Sequence, residues 1–188
     1  MITTPRLTLR PFTLADLEAA IAGDEALRDH FGAPVATGWM EYPVALPYWR
    51  EPLRASPDGL VWGMYGYFDR TDGTLVGGGG YKTPPSPDGV VEIGYGIAPG
   101  YRARGLATEA TRALVDHALA QPDVLTVIAH TLPEPNASNR VLQRCGFTLA
   151  GEVVHPDDGP VWRWEWEGQG SEVQGPKRIG LLSRTSDL

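Results

Sequence analysis

The sequence predicts a mixed α/β domain: one central sheet of about seven strands with helices packed on it. Three observations carry that reading. Segments of period two alternate with segments of helical period in the order β-α-α-β-β-β-α-β-α-β-β. Val124 to Ala129 is an almost continuous apolar run, the pattern of a strand covered on both faces. A glycine- and arginine-rich turn at Pro99–Gly105 joins a strand directly to an amphipathic helix.

Taken in order, Arg6–Arg10 places Leu7 and Leu9 on one face of a strand that Pro11 stops. Thr13 and Asp16 form an acidic capping box, with Leu14, Leu17 and Ile21 at helical spacing behind it, so a helix is expected over about 13–22. Between 24 and 58, Pro34, Pro43, Pro47, Pro52 and Pro57 leave room only for short helices, expected near 24–30 and 42–54. Leu60–Phe68 and Thr74–Tyr81 read as strands of a hairpin turned at Asp72-Gly73, and Val90–Ile97 as the next strand. Leu106, Ala110, Ala113, Leu114 and His117 then share one face of a helix that Pro122 ends. A shorter helix over Ser138–Cys145 stops at Gly146. Phe147–Val154 and Val161–Glu167 close the domain as a hairpin around Asp157-Asp158-Gly159. The domain is expected to span residues 1–167, with 168–188 an aperiodic, mobile tail.

Composition removes several classes of function. With 16 basic and 23 acidic side chains the formal charge is −7, which disfavours nucleic acid and anionic membrane as partners. The single cysteine, Cys145, rules out an intramolecular disulfide and a cysteine zinc site. No apolar run approaches the roughly 20 residues that span a bilayer, and the first ten residues lack a signal-peptide core. A cytoplasmic protein is expected.

The stretch richest in chemical content is Tyr95-Gly96-Ile97-Ala98-Pro99-Gly100-Tyr101-Arg102-Ala103-Arg104-Gly105-Leu106-Ala107-Thr108. Small residues at 103, 105 and 107 let a ligand approach the backbone, and the helix that follows points its unpaired N–H groups and positive dipole end at one spot. Such a turn binds phosphate, with Arg102 and Arg104 as cationic donors at its mouth. It is neither a P-loop nor a dinucleotide fingerprint, since neither Gly-Lys-Ser/Thr nor Gly-x-Gly-x-x-Gly is present.

Arg102-Ala103-Arg104-Gly105-Leu106-Ala107 resembles the pyrophosphate loop of the GNAT superfamily of acetyl-CoA-dependent N-acetyltransferases. Thr4–Pro11 is similar to the opening strand of its RimJ/RimL-like subgroup, and Asn136–Phe147 to that subgroup's second cofactor motif. The resemblance covers about residues 2–167 and implies the GNAT fold. It implies that Arg102 to Ala107 hold the CoA pyrophosphate through backbone amides, helped by Thr108. It further implies that the strand Tyr95–Ala98 splays from its neighbour to bind the pantetheine arm, and that a backbone N–H at Ile97 or Ala98 polarises the thioester carbonyl. Asn136 and Ser138 would begin the helix beside the thiol. The expected cosubstrates are acetyl-CoA, with no metal, and a primary amine on a protein N-terminus or a small molecule; a homodimer is compatible with the family.

The reaction needs a neutral amine and a departing thiolate. A protein α-amine titrates near ~7.7–8.0 and lysine near ~10.4, so a general base is useful. Glu92 stands on the central strand where many relatives carry that base; the competing reading is a cross-sheet ion pair. Many relatives place an acidic tyrosine where this chain has Leu142, which leaves Ser138 as the candidate acid, or alternatively as a helix N-cap. The alternative function is a non-catalytic acyl-CoA-binding module.

Other conspicuous residues have plainer readings. His130 and His117 read as a hydrogen-bonded structural histidine and a core residue, with the substrate cleft as the alternative for His130. Cys145 reads as packing. Trp162, Trp164 and Trp166 read as the core face of a strand, with a wall of the acceptor pocket or a dimer contact as the alternatives, and Gly77–Gly80 as close strand packing. The proline-broken segment 31–58 lies where such proteins place acceptor-binding elements.

Overall fold

The computed structural model describes residues 1–41, 43–55, 61–156 and 159–166. The tail 168–188, Glu167, Tyr42, Pro57, Leu60, Asp157 and Asp158 lie outside them, and so do the expectations placed there. The strands are β1 (Ile2–Thr3), β2 (Leu7–Pro11), β3 (Met64–Asp69), β4 (Leu75–Tyr81), β5 (Val90–Ile97), β6 (Thr126–Thr131), β7 (Phe147–His155) and β8 (Gly159–Trp166). The helices are α1 (Leu14–Ala22), α2 (Asp24–Phe31), α3 (Arg50–Ala55), α4 (Leu106–Leu119) and α5 (Ala137–Arg144), with 3₁₀ turns at Pro43–Trp49 and Pro99–Tyr101.

One sheet runs in the order β1-β2-β3-β4-β5-β6-β8-β7. Every neighbouring pair is antiparallel except β5 and β6, which run parallel. The mixed α/β class therefore agrees with the prediction, and the strand count is eight where about seven were expected. The extra strand is β1, which folds back on β2 with Ile2 opposite Leu9; two residues are too few for a periodicity to show in sequence.

Alternation along the strands divides the core between the two faces. Leu7, Leu9, Tyr65, Tyr67, Val76, Val91, Ile93 and Ile97 pack with Leu106, Ala110 and Leu114 of α4. Phe12, Met64 and Leu75 face the other way, onto Leu17 of α1, Leu27 of α2, Trp39 and Leu53 of α3. The capping box forms as expected: Thr13 Oγ1 accepts from Asp16 N at 3.2 Å and Asp16 Oδ2 accepts from Thr13 N at 2.8 Å.

Pro47 lies inside a 3₁₀ turn, which splits the expected helix at 42–54 and leaves α3 only six residues. The strand expected from Leu60 begins at Met64. His117 is wedged between the rings of Tyr65 and Tyr81, with centroids 6.4 and 6.3 Å away, and burial lowers its pKa. Trp164 is buried and donates to Thr131 Oγ1 at 3.0 Å, while Trp166 donates to the Cys145 carbonyl at 3.2 Å. The indole stripe is core packing.

The glycine run of β4 is a steric requirement. A Cβ at Gly77 or Gly79 would overlap the carbonyl of Gly96 or Gly94 on β5, and one at Gly78 would press on the Trp39 ring at 3.0 Å. We expect Gly79→Ala to lower unfolding free energy by about 1–3 kcal/mol, the usual range for an overpacked core. Urea denaturation checks this.

Candidate active site

The turn after β5 carries two left-handed residues close together, Ala103 and Gly105. Ala98 enters the 3₁₀ turn, Arg102 is extended at φ −68° and ψ 166°, and Ala103 is left-handed at φ 61°. Gly105, at φ 79°, caps the 14-residue helix α4 without any side-chain hydrogen bond. The first amide of the helix to find a partner is Glu109 N, which donates to Gly105 O at 3.1 Å. Among the described residues, the N–H groups of Ala103, Arg104, Gly105, Leu106, Ala107 and Thr108 have no protein acceptor. Six open donors at the positive end of a helix are an arrangement that favours negative charge.

The two arginines also hold the turn itself. Arg102 Nε donates to Ile97 O at 2.9 Å, and its Nη2 stands 3.6 Å from Glu41 Oε2. Arg104 donates to Gly100 O at 2.7 Å and stacks over Tyr101 at 4.9 Å. Both guanidinium groups brace the turn's backbone.

A second brace was not foreseen. Glu109 Oε1 accepts from Thr4 Oγ1 at 2.6 Å and Arg6 N at 2.8 Å, and Glu109 Oε2 accepts from Arg6 Nε at 2.6 Å. Arg6 then donates from Nη1 to Arg104 O at 2.7 Å. The N-terminal segment thus clamps the first turn of α4 from outside. Burial pushes the Glu109 pKa up, but the Thr4 and Arg6 donors outweigh it and hold the carboxylate below its usual range. The only sequence signal was a lone acidic residue in the helix's first turn.

Beside this turn the sheet opens. β5 pairs with β6 only at Val90–Thr126, Val91–Val127 and Glu92–Ile128. Beyond Glu92 the two strands part. Lys82 N donates to Glu92 O, and Ala98 N donates to Val76 O at 2.8 Å, so even-numbered residues of β5 direct their backbone groups toward β4. Odd-numbered Tyr95 and Ile97 turn theirs to the gap, and Arg102 already takes the Ile97 carbonyl. Of the two amides expected to polarise a carbonyl, Ala98 is therefore committed to β4 and Ile97 is open.

Across the gap, the Tyr95 hydroxyl donates to Ser138 O at 3.2 Å, tying β5 to the start of α5. Burial raises the Tyr95 pKa. The N-cap of α5 is Asn136, which accepts from Asn139 N at 3.0 Å, so the N-cap reading of Ser138 is corrected. Ser138 is the second residue of the helix, half-buried, with its hydroxyl unengaged among the described residues. Leu142 is fully buried.

Glu92 lies on the opposite face from Tyr95, as do Gly94 and Gly96. A Cβ at Gly94 would meet nothing within 4 Å, so this face of the strand is open. Glu92 Oε1 stands 2.6 Å from Lys82 Nζ and 2.9 Å from His130 Nδ1. Burial would raise the Glu92 pKa, but Lys82 and then His130 prevail and hold it below the usual carboxylate range. The cross-sheet ion pair and the cleft position thus coincide in one residue. No cluster of metal-ligating side chains exists among the described residues.

Residues 6–148 match the family described as an acetyltransferase (GNAT) domain. The chain belongs to the GNAT family. This GNAT domain is 26% identical over 151 residues to the uncharacterized N-acetyltransferase YjdG of Bacillus subtilis, an alignment covering 79% of this chain and 90% of that one. Its fold is similar to that of a GNAT-family acetyltransferase from Bordetella pertussis, with a TM-score of 0.62, 24% identity, and 88% and 98% of the two chains covered. It is also similar to RimL, a ribosomal L7/L12 α-N-protein acetyltransferase in complex with coenzyme A. There the TM-score is 0.61, the identity 18%, and the coverage 86% and 94%. The chain is an acetyl-CoA-dependent acyltransferase.

The clamp gives a prediction for coenzyme A. Glu109→Gln should weaken coenzyme A binding by about 5–30-fold, measured by calorimetry, because losing charge-assisted hydrogen bonds that set the turn costs about 1–2 kcal/mol. The sign with pH follows from the depressed folded-state pKa: the carboxylate's stabilisation is fully present above the ordinary range near ~4.3 and fades as pH falls through the lower folded value. The stability gap between wild type and variant in urea melts should therefore close on acidification.

Proposed function

We propose that this GNAT domain is a RimJ/RimL-like N-acetyltransferase that moves the acetyl group of acetyl-CoA to a primary amine by direct attack in a ternary complex. The observation that carries the reading is the continuity of two open backbone edges: six unpaired amides from Ala103 to Thr108, and the unpaired edge of β5 at Tyr95 and Ile97. The first fits a pyrophosphate and the second a pantetheine amide chain, in the order that a CoA molecule presents them. Arg102, Ala103, Arg104, Gly105, Leu106, Ala107 and Thr108 form the pyrophosphate cradle, with the two arginine side chains bracing it. Asn136 fixes the start of α5 and brings Ser138 to the gap.

The Ile97 N–H is the donor for the oxygen that becomes anionic as the amine attacks. Glu92 supplies the carboxylate on the acceptor face that draws in the ammonium form of the amine and anchors the group that takes its proton. Ser138 stands beside the departing thiolate, which at an ordinary thiol pKa near ~8.5 needs only a hydrogen bond and not full protonation. The acceptor is a protein N-terminal α-amine or a small-molecule amine, reached from the face of Gly94 and Gly96. The enzyme works in the cytoplasm, beside the acetyl-CoA pool.

Calorimetry with acetyl-CoA tests the cofactor half. Micromolar-range binding is expected, and Gly105→Glu should abolish it. That variant adds a negative charge to the cradle and a side chain at φ 79°. No binding to folded wild type would sink the proposal. For the chemistry, Ser138→Ala should lower kcat about tenfold while leaving KM for acetyl-CoA within about twofold, since one hydrogen bond to a charged group contributes about 1.5 kcal/mol. Unchanged kcat would remove Ser138 from the mechanism.

A further inference from the structure

We propose that the group accepting the amine's proton is His130 Nε2, and that Glu92 acts through it as a positioning residue; the inference rests on the acetyl-transfer reading above. Three placements support it.

β5 and β6 last pair at Glu92–Ile128, and His130 lies two residues further along β6 on the same face. The ring is therefore at the mouth of the gap, on the open side of Gly94 and Gly96. Its side chain is 11% exposed, enough to meet an acceptor but largely walled in.

The hydrogen bond from Nδ1 to Glu92 Oε1, 2.9 Å, fixes the tautomer. A carboxylate can only accept, so Nδ1 carries the proton and the lone pair of the neutral ring is on Nε2. This is the geometry of an oriented base, in which the anion also stabilises the imidazolium once it forms.

Glu92 itself is badly placed to take a proton directly. One oxygen, Oε1, meets both Lys82 Nζ at 2.6 Å and His130 Nδ1 at 2.9 Å, so the carboxylate's charge is already largely compensated before an amine arrives. Its carboxylate is held below the ordinary range, which widens its mismatch with an amine. The other groups around the ring do not replace it. Arg163, opposite His130 on β8, is bound to Glu165 at 2.7 Å, and His155 of β7 stands edge-on with ring centroids 5.6 Å apart.

The protons balance as follows. The ammonium R–NH3⁺ gives one proton to Nε2, forming imidazolium. The neutral amine's lone pair bonds to the thioester carbonyl carbon, and the C–S bond breaks with its pair on sulfur. The second N–H proton goes to the thiolate, the imidazolium returns its proton to water, and the products are the amide, the free thiol and one proton.

The test uses the full chain, acetyl-CoA and three probe amines: a short peptide with a free α-amine, a polyamine and an aminosugar. Thiol release is followed against pH, with and without each amine. His130→Asn keeps a donor for Glu92 but has no basic atom to accept a proton. It is expected to bind acetyl-CoA normally in calorimetry, to lose about 100-fold or more in kcat, and to lose the acidic limb of the rate profile. His130→Ala is expected to regain part of its activity from added imidazole. Glu92→Gln should keep the limb while lowering kcat, since the ring loses the charged acceptor that orients it.

A His130→Asn enzyme with wild-type kcat and an unchanged limb would overturn the inference, as would a Glu92→Gln enzyme that lost the limb altogether. Failure of wild type to bind acetyl-CoA, or binding without thiol release to any amine or to water, would overturn the acetyl-transfer reading, and this inference with it.

Discussion

A backbone amide that leaves a sheet must find another partner or water, and that constraint organises this molecule around the parting of β5 and β6. Up to Glu92 the two strands satisfy each other in parallel; beyond it, the edge of β5 is left with Tyr95 and Ile97 turned to an opening. The turn that follows continues the pattern, with six amides in succession lacking an internal acceptor. A fold that held such a row without support would close it with water or collapse it into a longer sheet. Here both are resisted. β4 holds β5 from the other side through glycines that allow very close approach. The Tyr95–Ser138 hydrogen bond spans the gap near its end.

The same logic explains why so many charged groups around the site point at protein. Arg102, Arg104, Arg6 and Glu109 hold the turn's carbonyls and first helical residues, which leaves the N–H groups free. Binding through backbone dipoles requires little side-chain reorganisation when an anion arrives, provided the backbone is already fixed. Ala103 at φ 61° is the visible strain in that arrangement, about 1–2 kcal/mol for a residue with a Cβ. Rotating this one residue presents successive amides to the same point, which is how a turn becomes a concave donor surface.

The two faces of β5 divide the work. Odd-numbered residues enter the core beneath α4, and their backbone groups line the gap; the even-numbered face carries Glu92 and then two glycines, leaving space for a second molecule. The polar set Lys82–Glu92–His130 sits where these regions meet, and it is held by one carboxylate oxygen. Most of this could be read in the sequence. The glycines of the turn, the helix behind it and Glu92 all lie in one continuous stretch, so local spacing exposed them. The Arg6–Glu109 clamp could not be read, because its partners are 103 residues apart and each alone looks like an ordinary surface charge. Ser138 was visible, but its freedom was not: Asn136, two residues earlier, takes the capping role expected as the alternative for Ser138.

Sequence by itself determined the class of fold and the position of the glycine-rich turn before α4, because periodicity and glycine placement are local properties of the chain, and the resemblance of its motifs pointed to the family that the comparison shows. It also determined that the tryptophan stripe and the glycine run were packing devices, since alternation dictates which face each residue occupies. The tertiary structure alone decided where β5 and β6 separate, which of Ile97 and Ala98 keeps a free amide, and that Glu92 and His130, 38 residues apart, share a hydrogen bond. Those are matters of strand register and of which neighbour each backbone group faces, and register is settled only when the whole sheet assembles.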